Sequence, residues 1–136
     1  MRGMTVPGWM NAVVGDFARS AGFAGLELNE RGAAAIGFET GASLRMEYTG
    51  SELVVAMTVP PAAAGEALAD SLRKLLSFSH PKAKHGFAVR TGLLAKTGSL
   101  VLAVRLAERD VTLPRVNGAF AVLWRLAGEV GGASWA

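Results

Sequence analysis

An α+β fold, one antiparallel twisted sheet with three helices in the order α-β-β-β-α-β-β-α, is predicted by three observations in this chain of 136 residues. Apolar side chains recur at helical spacing near both ends. Between those ends lie stretches that alternate apolar and polar residues and close on glycine-bearing turns. A double proline, Pro60-Pro61, interrupts the run of strands where a helix can begin.

Residues 8 to 21, GWMNAVVGDFARSA, place Met10, Val13, Val14, Phe17 and Ala21 at helical spacing, with Gly22 at a C-cap position. Two stripes can be drawn on this helix: Met10, Val14 and Ala21 on one line, Trp9, Val13 and Phe17 on another. A helix apolar on both sides is either buried twice or keeps one stripe for a partner. LELNERGAAAIGFE reads as a strand, a turn at Asn29-Glu30-Arg31-Gly32 and a second strand, which is one strand more than the order above holds. ASLRMEY sets Leu44, Met46 and Tyr48 against Arg45 and Glu47. After Thr49-Gly50, ELVVAMTV reads as a strand buried on both faces.

Pro60-Pro61 then opens a helix running through Ser77, proline being tolerated in a first turn. Leu68, Leu72, Leu75 and Leu76 form one stripe on it, and Ala64, Ala67 and Ser71 a second face of small residues. Pro81 and Gly86 punctuate the loop that follows. FAVRTGLLAK, Thr97-Gly98 and SLVLAVRL form a hairpin in which Leu100, Leu102, Val104 and Leu106 alternate. Asp110 to Pro114 lead into a last helix, where Val116, Phe120, Leu123, Ala127 and Val130 repeat at helical spacing and Gly131-Gly132 stop it. Trp124 stands off that line and is expected to cap the sheet edge or, as the alternative, to sit in the partner surface; Trp135 is predicted to fray. With no repeat, linker or low-complexity block, residues 1–136 read as one domain.

Composition narrows the function. Hydrophobic residues make up 51% and charged residues 18% of the chain, the latter below the roughly 25% of an average globular protein. Such a surface is hidden in an oligomer or kept for a partner. The absence of cysteine excludes a disulfide scaffold and thiolate chemistry. No apolar run reaches the ~18 to 20 residues of a membrane span, and the start, MRGMTVPGWMNAVVGD, is broken by Pro7, Gly8, Asn11 and Asp16, so a cytoplasmic protein away from the membrane is expected. The net charge is +3, but the arginines are scattered and only Arg73-Lys74 and Lys82-Ala83-Lys84 cluster. A phosphate backbone needs several cations on one face, so no nucleic acid is expected.

Candidate chemistry is sparse. His80 and His85 stand five residues apart across Pro81 with no third ligand in the loop, and are predicted to be solvated rather than metal-bound. TGASL, YTGS and KTGS read as turns with glycine at positive φ. No G-x-S-x-G elbow, dinucleotide fingerprint or P-loop is present, and Lys96-Thr97-Gly98 lacks the companion motifs of a β-lactamase. Glu66, Asp70 and Lys74 fall at helical i, i+4 spacing. No catalytic residue, metal or cofactor is predicted, and the chain is expected not to be an enzyme.

The element order, the length, and the run SLRKLLSFSH followed by GFAVRTGLLAKTGSLVLAVRL resemble the class I type III secretion chaperones, the Tir-chaperone-like family. The resemblance extends from LELNERGAAAIGF through NGAFAVLWRLAGEV as a pattern of apolar positions and turns. Members are usually acidic, whereas this chain is basic. The resemblance implies a cytoplasmic homodimer that holds the N-terminal segment of a secreted effector in extended form, without ATP or metal. Exposed sheet edges can accept such a segment as an added strand. A secretion-apparatus ATPase or sorting components would be further partners. The expected cargo groove is lined by Trp9, Val13, Phe17, Leu26, Leu28, Ile36 and Phe38. The second helix and the strand after it are expected to build the dimer interface, on Ala64, Ala67, Leu68, Ser71, Leu75, Phe87 and Val89. Another peptide-binding adaptor, or a small ligand-binding protein or enzyme, are the alternative readings.

Overall fold

Alternation governs the middle of the chain. In β2 (Ser43–Tyr48) and β3 (Glu52–Val59) every second residue is buried: Leu44, Met46 and Tyr48, then Leu53, Val55, Met57 and Val59. The same period puts Leu100, Leu102, Val104 and Leu106 of β5 (Leu100–Ala107) on one face. With β1 (Ala33–Gly37) and β4 (Val89–Leu93) these form one antiparallel sheet in the order β1-β2-β3-β5-β4. The computed structural model describes residues 5–60, 73, 86–94 and 96–131.

Two helices lie among these residues, α1 (Gly8–Ala21) and α2 (Leu113–Gly131), the latter separated from β5 by a 3-10 turn at Glu108–Asp110. At the end of α1, Gly22 adopts φ 80°, its N–H donates to Arg19 O, and the Phe23 N–H donates to Ala18 O at 2.8 Å. This is the left-handed C-cap that glycine takes without penalty. At the start of α2, Thr112 Oγ1 accepts the Arg115 N–H at 3.3 Å, satisfying one orphan donor of the first turn. Helix α2 packs on β3 and β5, and α1 packs on α2. Val116, Ala119, Leu123, Ala127 and Val130 face inward from α2, and Met10, Val14, Phe17 and Ala18 from α1. Tyr48 ties the end of β2 to the turn before α2: its hydroxyl donates to Glu108 Oε1 at 2.9 Å, with the Gly50 carbonyl 3.1 Å away.

Three expectations need correction or bounding. Leu26 and Leu28 are buried on either side of the exposed Glu27, but the segment is no strand and joins no ladder. Asn29 is the reason: its N–H donates to Ala33 O at 2.9 Å, and its Oδ1 accepts the N–H groups of Arg31 and Ala33 at 2.9 and 3.1 Å. The chain is turned there by a side-chain cap before it can pair. Strand β3 is buried on one face rather than two, since Glu52, Val54, Ala56 and Thr58 are only half-buried. Among the described residues, the last helix packs on β3 and β5 from the opposite face. The second helix lies outside the described residues except for Arg73, which is helical and exposed. Ala64, Ala67, Leu68, Ser71, Leu72, Leu75 and Leu76, with His80, His85 and Trp135, lie outside them too.

Candidate partner-binding edge

Among the described residues, strand β1 has a neighbour on one side only. Its register with β2 shows which backbone groups are free. The Tyr48 N–H donates to Gly32 O at 2.7 Å. Ala34 stands opposite Met46 and Ile36 opposite Leu44, so these continue the hydrogen-bonded pairs. The N–H and C=O groups of Ala33, Ala35 and Gly37 therefore point away from β2. Asn29 satisfies those of Ala33. Among the described residues those of Ala35 and Gly37 find no partner and form an open edge, the kind of template on which another strand can pair.

An aromatic ridge adjoins that edge. Phe38 follows β1 directly and meets Trp124 of α2 edge-on, ring centroids 5.2 Å apart. Phe23, from the loop after α1, contacts Phe38 at 5.4 Å and Phe120 at 5.5 Å, and Phe120 contacts Trp124 at 5.8 Å. Phe17 forms the floor, touching Phe23 and Phe120 at 5.9 and 5.4 Å. Trp124 packs on Phe38 just beyond the end of β1, with 36% of its surface still exposed. Beside the ridge, between α1 and residues 23–27, runs a cleft of about 320 Å³ lined by Gly15, Ala18, Arg19, Phe23, Leu26 and Glu27.

The seven residues expected in a cargo groove divide into two sets. Trp9 is 45% exposed, and Val13, Ile36 and Phe38 are half-buried at the core's margin. Phe17 is fully buried and Leu26 and Leu28 nearly so, which corrects the expectation that Phe17 shares an outward stripe with Trp9. At 3.6 residues per turn, Phe17 stands about 20° around the helix from Met10 and about 80° from Trp9, so it joins the Met10–Val14 stripe. Of the residues placed at a dimer seam, Val89 faces the core and Phe87 packs within its own chain. The Phe87 ring lies beside Gly118, with the Arg115 guanidinium 4.3 Å from its centroid.

Sequence comparison decides the family. Residues 9–131 match the type III secretory system chaperone SycN family. The chain belongs to that family. No curated protein sequence matches it. Among solved structures, the chaperone is similar to a chain of the ExsC–ExsE complex, with a TM-score of 0.71 and 22% identity over 96% of this chain and 99% of that one. It is similar also to a chain of the Yersinia pestis type III secretion chaperone SycH in complex with a fragment of YscM2, at TM-score 0.61 and 22% identity over 87% and 96%. A chain of the heterodimeric ExoU–SpcU complex of Pseudomonas aeruginosa gives 0.60 and 16% over 90% and 97%. At these identities the likeness establishes the fold.

Two parts of this chaperone's ridge are not legible in the sequence. Phe23 lies in the loop between elements, with no periodicity to mark it. Phe120 falls on the core line of the last helix by spacing, whereas it is half-buried and joins the ridge. Among the described residues, no helix is long and apolar enough to cross a membrane, and no three His, Cys, Asp or Glu side chains group to hold a metal.

Proposed function

We propose that this chaperone holds a segment of a secreted effector as an added strand on β1, with alternate apolar side chains of the segment laid on the ridge of Phe38, Phe23 and Trp124. The observation that carries this reading is the open backbone of Ala35 and Gly37 beside half-buried aromatic rings. Main-chain pairing supplies affinity without demanding one sequence, and apolar contacts supply the preference. Each apolar side chain buried contributes on the order of 1.5 to 3 kcal/mol before ordering costs, which holds an unfolded segment yet leaves it releasable. Trp9, Val13 and Ile36 extend the apolar margin, while Phe17, Leu26 and Leu28 support it from within. No catalytic step or cofactor belongs to this role, and its place is the cytoplasm, before export.

The working unit is proposed to be a homodimer joined through the second helix and the strand after it, with Ala64, Ala67, Leu68, Ser71, Leu75, Phe87 and Val89 in or behind the seam. Ala67→Glu is then expected to give a folded monomer by light scattering, and a folded dimer would move the seam elsewhere.

Ala35→Pro tests the edge. It deletes an N–H that faces away from β2 and leaves the β1–β2 ladder intact. In co-expression pulldown against candidate effector N-terminal segments, the variant is expected to keep its circular dichroism and lose at least about tenfold in capture of any segment the unaltered chain binds. Full capture by a folded Ala35→Pro variant would place the effector elsewhere.

A further inference from the structure

The turn before β1 has the form of a hairpin connection. The Gly32 N–H donates to Asn29 O at 2.8 Å, Gly32 takes φ 77°, and the Asn29 N–H donates to Ala33 O at 2.9 Å. A type I turn followed by a left-handed glycine is the three-residue loop that joins two antiparallel strands. Counting onward from Asn29 opposite Ala33, the next pairs are Leu28 with Ala34, Glu27 with Ala35 and Leu26 with Ile36. The faces agree with that register. Leu26, Leu28 and Ala34 are buried and Ile36 is half-buried, while Glu27 and Ala35 are both exposed. Yet no backbone hydrogen bond joins Glu27 to Ala35. A gap of about 250 Å³ is lined by both arms, through Glu27, Asn29, Ala33, Ala34 and Ala35, and by Arg45 of β2.

We propose that Leu26–Leu28 is a strap that closes reversibly on β1. Closure adds the rung that the turn has already set in register: the Glu27 N–H donates to Ala35 O and the Ala35 N–H donates to Glu27 O. Gly25, at φ 80°, breaks the extended run and marks where the strap ends. Arg45 is the latch. It stands opposite Ala35 on β2, so closure sets Glu27, Ala35 and Arg45 in one row on the outward face. Glu27 and Arg45 then lie two strand spacings, ~10 Å, apart, a span that their long side chains bridge above the alanine methyl. Arg45 is exposed, and neither Glu47 on the same face nor any other described carboxylate pairs with it.

The strap's role rests on the reading of β1 as the effector's edge. Strap and effector strand need the same N–H and C=O groups of Ala35, so only one of them can hold that rung. An unfilled chaperone thereby blunts its own edge against wrong partners, and an effector segment displaces the strap on capture.

The chain has no cysteine, so an introduced disulfide reports closure. Glu27→Cys with Ala35→Cys is expected to oxidise at least about tenfold faster than Glu27→Cys with Gly37→Cys, since opposed residues fall within disulfide reach and the offset pair does not. A Cβ at Gly37 meets nothing within 4 Å, so the control pair should fold. In amide exchange of the free chain, Glu27→Arg and Arg45→Glu should each speed Ala35 several-fold, and the two together should restore it. Ile36, paired with β2, should not change. The oxidised, locked strap should lose effector capture and regain it on reduction. Equal oxidation of the two cysteine pairs, or no change at Ala35 in either charge variant, overturns the proposal whatever capture shows. If the locked chain captures fully while Ala35→Pro does not, the strap alone is wrong. If both capture fully, the effector is not on β1, and the reading beneath the strap falls with it.

Discussion

Phe17→Ala separates the two roles open to the first helix. Phe17 is fully buried and meets Phe23 and Phe120 edge-on at 5.9 and 5.4 Å. Truncating a buried phenylalanine costs about 3 to 5 kcal/mol through lost transfer energy and the cavity left behind. The two ring pairs, each worth about 0.5 to 1.5 kcal/mol beyond area, put this site in the upper half of that range, near 4 kcal/mol. A domain has only about 5 to 15 kcal/mol in total, so the variant should fold but melt early. Trp9→Ala, two turns earlier and 45% exposed, should cost under about 1 kcal/mol. Urea unfolding followed by circular dichroism measures both, provided the slope with denaturant is unchanged. If Phe17→Ala loses less than Trp9→Ala, Phe17 is on the surface and the ridge has no floor.

Other outcomes follow from single contacts. A Cβ on Gly118 would come within 3.1 and 3.3 Å of the Phe87 ring, which Arg115 holds from above. Gly118→Ala is therefore expected to lose about 1 kcal/mol, strain exceeding the helix-propensity gain, and to become stabilising in a Phe87→Ala background. Tyr48 is the chain's one tyrosine. Burial, then the hydrogen bond and charge of Glu108, raise its pKa above 10.0. A raised phenol pKa means the folded state holds the proton more tightly. The resulting stability is present below pH 10 and is lost as pH rises through the folded-state value. Ultraviolet difference titration should find the midpoint above that of free tyrosine, and melting temperature should fall more steeply at high pH than in Tyr48→Phe. Glu52→Gln, which breaks the partly exposed pair with Arg105, should cost under about 1 kcal/mol, with the difference vanishing in high salt.

The sheet is legible wherever one face is buried and the other is not, because a period of two then writes itself into β2, β3 and β5. Legibility fails at Leu26–Leu28, where apolar alternation is real but Asn29 spends the backbone on a turn. It fails again at β3: Val54, Ala56 and Thr58 resemble buried residues in composition, yet no element among the described residues packs on them. The stripe error on α1 comes from spacing alone. Residues 9, 13 and 17 drift steadily around a helix, so Phe17 ends nearer Met10 than Trp9. The ridge cannot be read, since Phe23 and Phe38 meet Phe120 and Trp124 only through the fold. The open edge is foreshadowed in kind, as a sheet edge able to accept a strand, but the choice of Ala35 and Gly37 requires the register.

Amide hydrogen exchange on the chaperone, free and bound to the effector with which it is co-expressed, tests the edge directly. Ala35 and Gly37 have N–H groups that face away from β2, and in the free protein they should exchange faster than Ala34 and Ile36, which pair with β2. Effector binding should slow Ala35 and Gly37 strongly while leaving Ala34 and Ile36 nearly unchanged. Strong protection elsewhere in the complex with Ala35 and Gly37 still exchanging fast would contradict strand addition on β1.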